Sequence, residues 1–312
     1  LQLLAIFVRF VLISIIALLI VLIVRQWNQG IVLTVNVSIT LCFPQMQFIA
    51  YNQKKETARG KNFSCALISY LDRWKISHDF RTSLSVLMAE SVAIVMYSSS
   101  NHFYEARRAI RSIRSVFKNN IIFYDLGLLP NEISELNNVC NVEVRKFAFE
   151  RYPDFVSYIM GYNFKPIIMA EVFSELESFW VVDTSVRFFN VTPFLTDFYA
   201  NITSGVIETM VMRHPSSHSI FATTHPSMYE YLPIDSPLAK ELEMLDANTM
   251  FITRSDMTRE AIKWNALCAL TLSVWLRKAR EFTVGLRRID ISLMQTVIDS
   301  IKAQSTLSSL LY

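Results

Sequence analysis

The sequence predicts an α/β domain with a mainly parallel wound sheet over residues 89–312, preceded by a transmembrane helix. Three observations carry this. Short apolar runs of strand length alternate with helix-length amphipathic segments four times between Val92 and Val182, the pattern of βαβ units. The most apolar of these runs, Phe179-Trp180-Val181-Val182, ends abruptly at Asp183-Thr184-Ser185. The segment Leu3–Val24 is apolar except at Arg9 and Ser14, about the 20 residues that cross a hydrocarbon core of ~30 Å.

From the N-terminus, Leu3–Val24 is too long for a secretory h-region and no small-residue cleavage site follows it. Residues 1–26 are therefore read as an anchor. Arg9 and Arg25 flank or enter the span and leave its orientation open on charge alone. Ile31–Phe43 is too short for a second crossing, and its Val, Thr and Ile content suits a strand or a membrane-proximal segment. Polar residues follow from Gln45, including Lys54-Lys55-Glu56, so 27–88 is read as a stem.

The regular part starts at Val92–Tyr97, a strand closed by Ser98-Ser99-Ser100. Asn101 is placed to cap the following helix. In that helix Phe103, Ala106, Ala109, Ile110, Ile113, Val116 and Phe117 share one face, and Arg107, Arg108, Arg111 and Arg114 the other. Asn120–Tyr124 is a strand and Pro130–Asn138 a short helix. Val142–Phe147 is a strand, and Phe164–Leu176 a helix with Pro166 in its first turn. Then comes the strand ending at Asp183. Beyond it, Phe194–Tyr199 reads as a helical turn, Gly205–Met212, His218–Thr224 and Asn248–Thr253 as strands, and Met257–Leu272 and Ile289–Ile301 as helices.

Composition narrows the function. Net charge is only +3, and no basic stripe with interleaved aromatics appears, which argues against nucleic acid as a partner. With 6 glycines there is neither a dinucleotide fingerprint nor a phosphate loop. Cys42, Cys65, Cys140 and Cys268 form no CxxC pair, so a zinc site is not indicated; they are either buried thiols or disulfide partners in a lumenal protein. Asn36, Asn62, Asn190 and Asn201 begin Asn-x-Ser/Thr sequons, which would be used only in the lumen.

In α/β sheets ligands dock beyond the carboxyl ends of strands. That makes Asp183, with Ser185 and Arg187 after it, one half of a candidate site. Ser99 and His102, after the first strand, make the other half. Each has a plain structural reading: Asp183 as a turn cap, and His102 as a loop residue. His214, His218 and His225 match no zinc spacing and are read as loop residues. Glu171 faces either the sheet edge or solvent.

Several blocks resemble one family: Asn120–Asp125 with Leu126-Gly127-Leu128, Cys140–Phe149, Lys165-Pro166-Ile167-Ile168-Met169-Ala170-Glu171, Trp180–Phe188, Met228-Tyr229-Glu230-Tyr231-Leu232-Pro233 and Trp264–Leu270. Together they resemble an uncharacterised, nematode-expanded family of type II membrane proteins with a glycosyltransferase-A-like domain. The resemblance covers roughly Val92 to Ile298. It implies a single-pass protein of the Golgi or endoplasmic reticulum with a lumenal domain, a nucleotide-sugar donor, and a glycan or protein acceptor. The family's C-terminal His-Arg-aromatic-Asp-Gln-Ser reads here Arg287-Arg288-Ile289-Asp290-Ile291-Ser292, which leaves Arg288 and Asp290 as candidate catalytic residues. It lacks the family's His and Gln, and the Cys that follows the Cys268 position is absent too. These departures favour, as an alternative, an inactive relative that binds glycan or protein.

Donor cleavage leaves a diphosphate whose charge needs a divalent cation or basic groups. Asp183-Thr184-Ser185 offers one carboxylate where metal-using proteins of this fold have two. Asp183 is thus a candidate ligand for Mn²⁺ or Mg²⁺ or for a ribose, with Arg187 as a metal-free substitute.

Overall fold

The computed structural model describes residues 46–51, 57–77, 92–189, 192–204, 210–233 and 236–275. The chain divides into two units, Leu1–Met46 and Gln47–Tyr312; the elements described here belong to the second. The anchor Leu3–Val24, the run Ile31–Phe43, the helix Ile289–Ile301, Arg288 and Asp290 lie outside the described residues. Among the described residues no helix is long and apolar enough to cross a membrane.

The second unit opens with an antiparallel hairpin, β1 (Gln47–Tyr51) and β2 (Thr57–Asn62), and a short helix α1 (Ile68–Arg73). The βαβ run follows: β3 (Ala93–Ser98), α2 (Phe103–Arg114), β4 (Ile121–Asp125), α3 (Pro130–Asn137), β5 (Val142–Lys146), α4 (Phe164–Glu175) and β6 (Ser178–Val182). Next come α5 (Thr192–Thr203), β7 (Met210–Ser219), α6 (Pro226–Tyr231), α7 (Ser236–Glu241), β8 (Glu243–Thr253) and α8 (Asp256–Ala269).

The central sheet has six strands in the order β5-β4-β3-β6-β8-β7. β3 pairs in parallel with β4 and β6, and β4 with β5. β8 pairs antiparallel with both β6 and β7, so it alone of the six runs against the others. The expected mainly parallel sheet is therefore a mixed one. The departure begins after β6, where strict strand–helix alternation stops and long strands of 10 and 11 residues pair directly. β7 replaces the two expected strands Gly205–Met212 and His218–Thr224. It carries Pro215 where the register shifts, as an edge strand tolerates, and Ile220–Thr223 after it is helical.

β3, β4 and β6 are buried along their whole length, as strands covered on both faces must be. One face packs on α2 and α5 through Ile94, Met96, Phe123, Trp180 and Phe251. In α2 the expected apolar stripe is buried at Phe103, Ala106, Ala109, Ile110 and Ile113. A 3-10 turn, Ser100–His102, precedes α2, so Asn101 does not cap it; its Oδ1 accepts instead from Ser99 Oγ. The other face is covered by α4, which packs on α8.

The described part of the segment read as a stem is folded onto this body. Phe48 and Phe63 meet Trp264 of α8, and Phe63 also meets Tyr231 of α6, with centroids 4.8 Å apart. Gly60 is needed there: a Cβ would lie 1.8 Å from the Tyr231 carbonyl oxygen. Cys65 is disulfide-bonded, while Cys140 and Cys268 are free thiols.

Candidate functional site

The strand order places a topological switch between β3 and β6. From β3 the chain moves outward through β4 to β5, then crosses back to enter β6 on the opposite side of β3. Connections on the two sides of this point diverge and leave a crevice at the carboxyl ends. Val95 pairs with Val181. Tyr97 and Asp183 each lie two residues further on, so they sit level and on one face at that crevice.

Asp183 is the centre of a compact cluster. Its Oδ1 accepts from Tyr97 Oη at 2.5 Å and from Lys165 Nζ at 3.1 Å, and its Oδ2 accepts from Lys165 Nζ at 3.0 Å. Lys165 comes from the first turn of α4, and its ammonium lies 5.3 Å from the ring centroids of both Tyr97 and Tyr162. Its side chain is 9% exposed, against 24% for Asp183. A buried lysine persists only when its charge is met. Here a carboxylate meets it, with two aromatic faces adding cation–π attraction. The Asp183 N–H donates to the Asn248 carbonyl of β8 at 2.8 Å, which fixes the loop after β6 to the sheet.

The other predicted residues surround this cluster without joining it. Thr184 Oγ1 and His102 Nδ1 each lie 3.4 Å from Glu105 Oε2, so one carboxylate ties the loops after β3 and β6 together. Ser99 is half-buried beside His102, and Ser185 is exposed at the turn. Arg187 Nη1 donates to the carbonyls of Thr184 and Val186, 2.6 and 2.7 Å away, bracing its own loop. On the next strand Asp125 Oδ1 accepts from the N–H groups of Gly127 and Leu128, and Ser100 Oγ donates to Glu132. The rim of the crevice is thus cross-linked by polar contacts.

Reading the sequence did not find Lys165, Tyr97 or Asn248. Lys165-Pro166 was legible only as a helix start, yet a lone lysine ahead of Ile167-Ile168-Met169-Ala170 is a signal for a buried, paired charge. Glu171 turns inward. It accepts from Tyr152 Oη, and burial pushes its carboxyl above the usual range, an effect that the Tyr152 and Tyr124 hydroxyls partly offset.

A divalent cation fits these residues poorly. Among the described residues no three His, Cys, Asp or Glu side chains gather to hold one. The carboxylate at the crevice is already engaged on both oxygens by an ammonium. Mn²⁺ and Mg²⁺ want several oxygen ligands and gain nothing from a cation alongside.

A family model described as a protein of unknown function (DUF1647) matches residues 42–170. No curated protein sequence matches the chain. Solved structures similar to it include the bifunctional glycosyltransferase WbbM in its apo form, with TM-score 0.39 and 13% identity; the match covers 63% of this chain and 39% of that one. Another is the galactosyltransferase LgtC in complex with donor and acceptor sugar analogues, with TM-score 0.37, 9% identity and coverage of 66% and 70%. A third is the core-mannan synthase CmsA/Ktr4 of Aspergillus fumigatus in its Mn/GDP form, with TM-score 0.35, 7% identity and coverage of 81% and 82%.

Proposed function

We propose that this chain is a membrane-anchored, lumenal, glycosyltransferase-like protein that binds a nucleotide sugar at the carboxyl ends of β3 and β6. The observation that carries the reading is the Tyr97–Lys165–Asp183 cluster at the topological switch point. A buried charge pair costs desolvation energy and is seldom the most stable way to fill a core position. Placed where α/β sheets dock ligands, it reads as a binding element. The block resemblance around Lys165 and Asp183 supports the same reading. A glycan or protein acceptor would approach from the open side of the crevice, and Arg288 and Asp290 are the residues proposed to act on it.

The anchor is proposed from Leu3–Val24. A lumenal setting in the Golgi or endoplasmic reticulum agrees with the disulfide at Cys65, since such bonds persist in oxidising compartments. It agrees also with the exposed sequon residue Asn62 at the end of β2. A mobility shift on peptide-N-glycosidase treatment, lost in Asn62→Gln, tests the compartment. The second reading, an inactive glycan- or protein-binding relative, is favoured by the single, lysine-neutralised carboxylate.

The direct test is thermal unfolding of the full chain with a panel of nucleotide sugars, each with MnCl₂ and with EDTA. A donor-specific rise in midpoint that disappears in Asp183→Asn supports donor binding. No rise with any donor favours the second reading.

A further inference from the structure

A lysine stands against Asp183 where a metal ion was expected. We propose that Lys165 takes the place of a divalent cation, so that Asp183 and Asn248 form a metal-independent subsite for the vicinal hydroxyls of a sugar ring. This deepens the donor reading and rests on it for the identity of the ring's carrier.

Charge separates the two cases. Asp183 with Lys165 is a neutral pair, whereas Asp183 with a divalent ion would carry a net positive charge suited to a diphosphate. A neutral carboxylate–ammonium pair instead offers strong acceptors beside strong donors. A sugar hydroxyl both gives and takes a hydrogen bond, so this combination matches it. The Asp183 carboxylate is held in place by Tyr97 and Lys165, and about a quarter of its side chain stays open to a ligand.

Asn248 supplies the second group. Val182 pairs with Thr249 in the antiparallel ladder, and the Asp183 N–H donates to the Asn248 carbonyl. Asp183 and Asn248 therefore stand opposite each other, and opposed residues of an antiparallel pair share a face with their Cβ atoms about 4.5–5.5 Å apart. Asn248 Oδ1 is buried and has no hydrogen-bond partner. A buried orphan acceptor in a folded protein needs a reason. A ligand hydroxyl shared with the neighbouring carboxylate is one that also explains its position. Two acceptors at this spacing suit adjacent hydroxyls on one ring.

The test is titration calorimetry of the full chain with UDP-glucose and GDP-mannose, in EDTA and in MnCl₂. The proposal expects affinities within about twofold in the two buffers. It expects a loss of tenfold or more in Asn248→Ala, a variant that leaves the Asp183–Lys165 pair intact. Binding that collapses in EDTA, or an Mn²⁺ paramagnetic resonance signal from wild-type protein that Asp183→Asn removes, overturns it. Should neither nucleotide sugar bind, the donor reading fails by itself. The subsite is then decided by saturation-transfer NMR with free glucose, mannose, galactose and xylose. Transfer that Asn248→Ala abolishes upholds the subsite, and transfer that is absent or unchanged in the variant refutes it.

Discussion

The Lys165–Asp183 pair makes an asymmetric prediction. Removing the carboxylate by Asp183→Asn leaves an ammonium that is 9% exposed. Removing the ammonium by Lys165→Met leaves a carboxylate that is 24% exposed and still accepts from Tyr97 Oη. At the 3.0 Å separation the gross attraction is about 5–6 kcal/mol for an effective dielectric near 20. Stripping one partner from a fully buried pair costs ~3–5 kcal/mol. Partial hydration of Asp183 lowers the expected loss for Lys165→Met to about 1–2 kcal/mol, while Asp183→Asn stays near ~3 kcal/mol. The double variant restores neutrality, so a double-mutant cycle yields a coupling of about 2 kcal/mol. The assay is urea unfolding of all four proteins at neutral pH. A coupling below about 0.5 kcal/mol, or Lys165→Met costing more than Asp183→Asn, refutes the reasoning that the lysine is the buried, dependent partner.

Other expectations follow from packing and burial. Gly60→Ala places a methyl group 1.8 Å from the Tyr231 carbonyl and forces the hairpin off α6, costing about 1–3 kcal/mol or more, read as a lower unfolding midpoint. Tyr199→Phe orphans the buried Trp180 Nε1–H, which donates to Tyr199 Oη at 2.8 Å, and is expected to cost about 1–3 kcal/mol by denaturant unfolding. Burial raises the folded-state pKa of Glu171, so the folded protein binds more protons than the unfolded chain at this group. Wild type therefore gains stability relative to Glu171→Gln as pH falls through the raised folded value towards the ordinary carboxylate value. A stability difference that is flat, or of opposite sign, across that window contradicts the assignment.

The half of the fold from β3 to β6 was legible because each element solves its burial locally. Met96 and Phe123 fall within short buried runs, Ile110 and Ile113 repeat at helical spacing, and Asp125 and Asp183 end their strands with a charge. β7 and β8 were not legible in the same way. Their pairing is antiparallel and joins segments separated by two helices, a choice set by long-range register that Pro215 disguises further. At the site the Asp183 position follows from a strand-end rule. Its partner Lys165 lies 18 residues earlier on another element, and only the fold brings the two together. The same holds for Asn248, whose meaning depends on its place opposite Asp183 across the ladder.

The central claim is that a nucleotide sugar docks at the crevice between the ends of β3 and β6. Photoaffinity labelling of the full chain with azido-uridine and azido-guanosine diphosphate sugars, mapped by peptide mass spectrometry, tests it most directly. Labelling of the loops Ser99–Phe103 or Thr184–Phe189, competed by unlabelled donor and lost in Asp183→Asn, is the predicted result. Competed labelling that falls on other parts of the chain, or persists unchanged in Asp183→Asn, contradicts it.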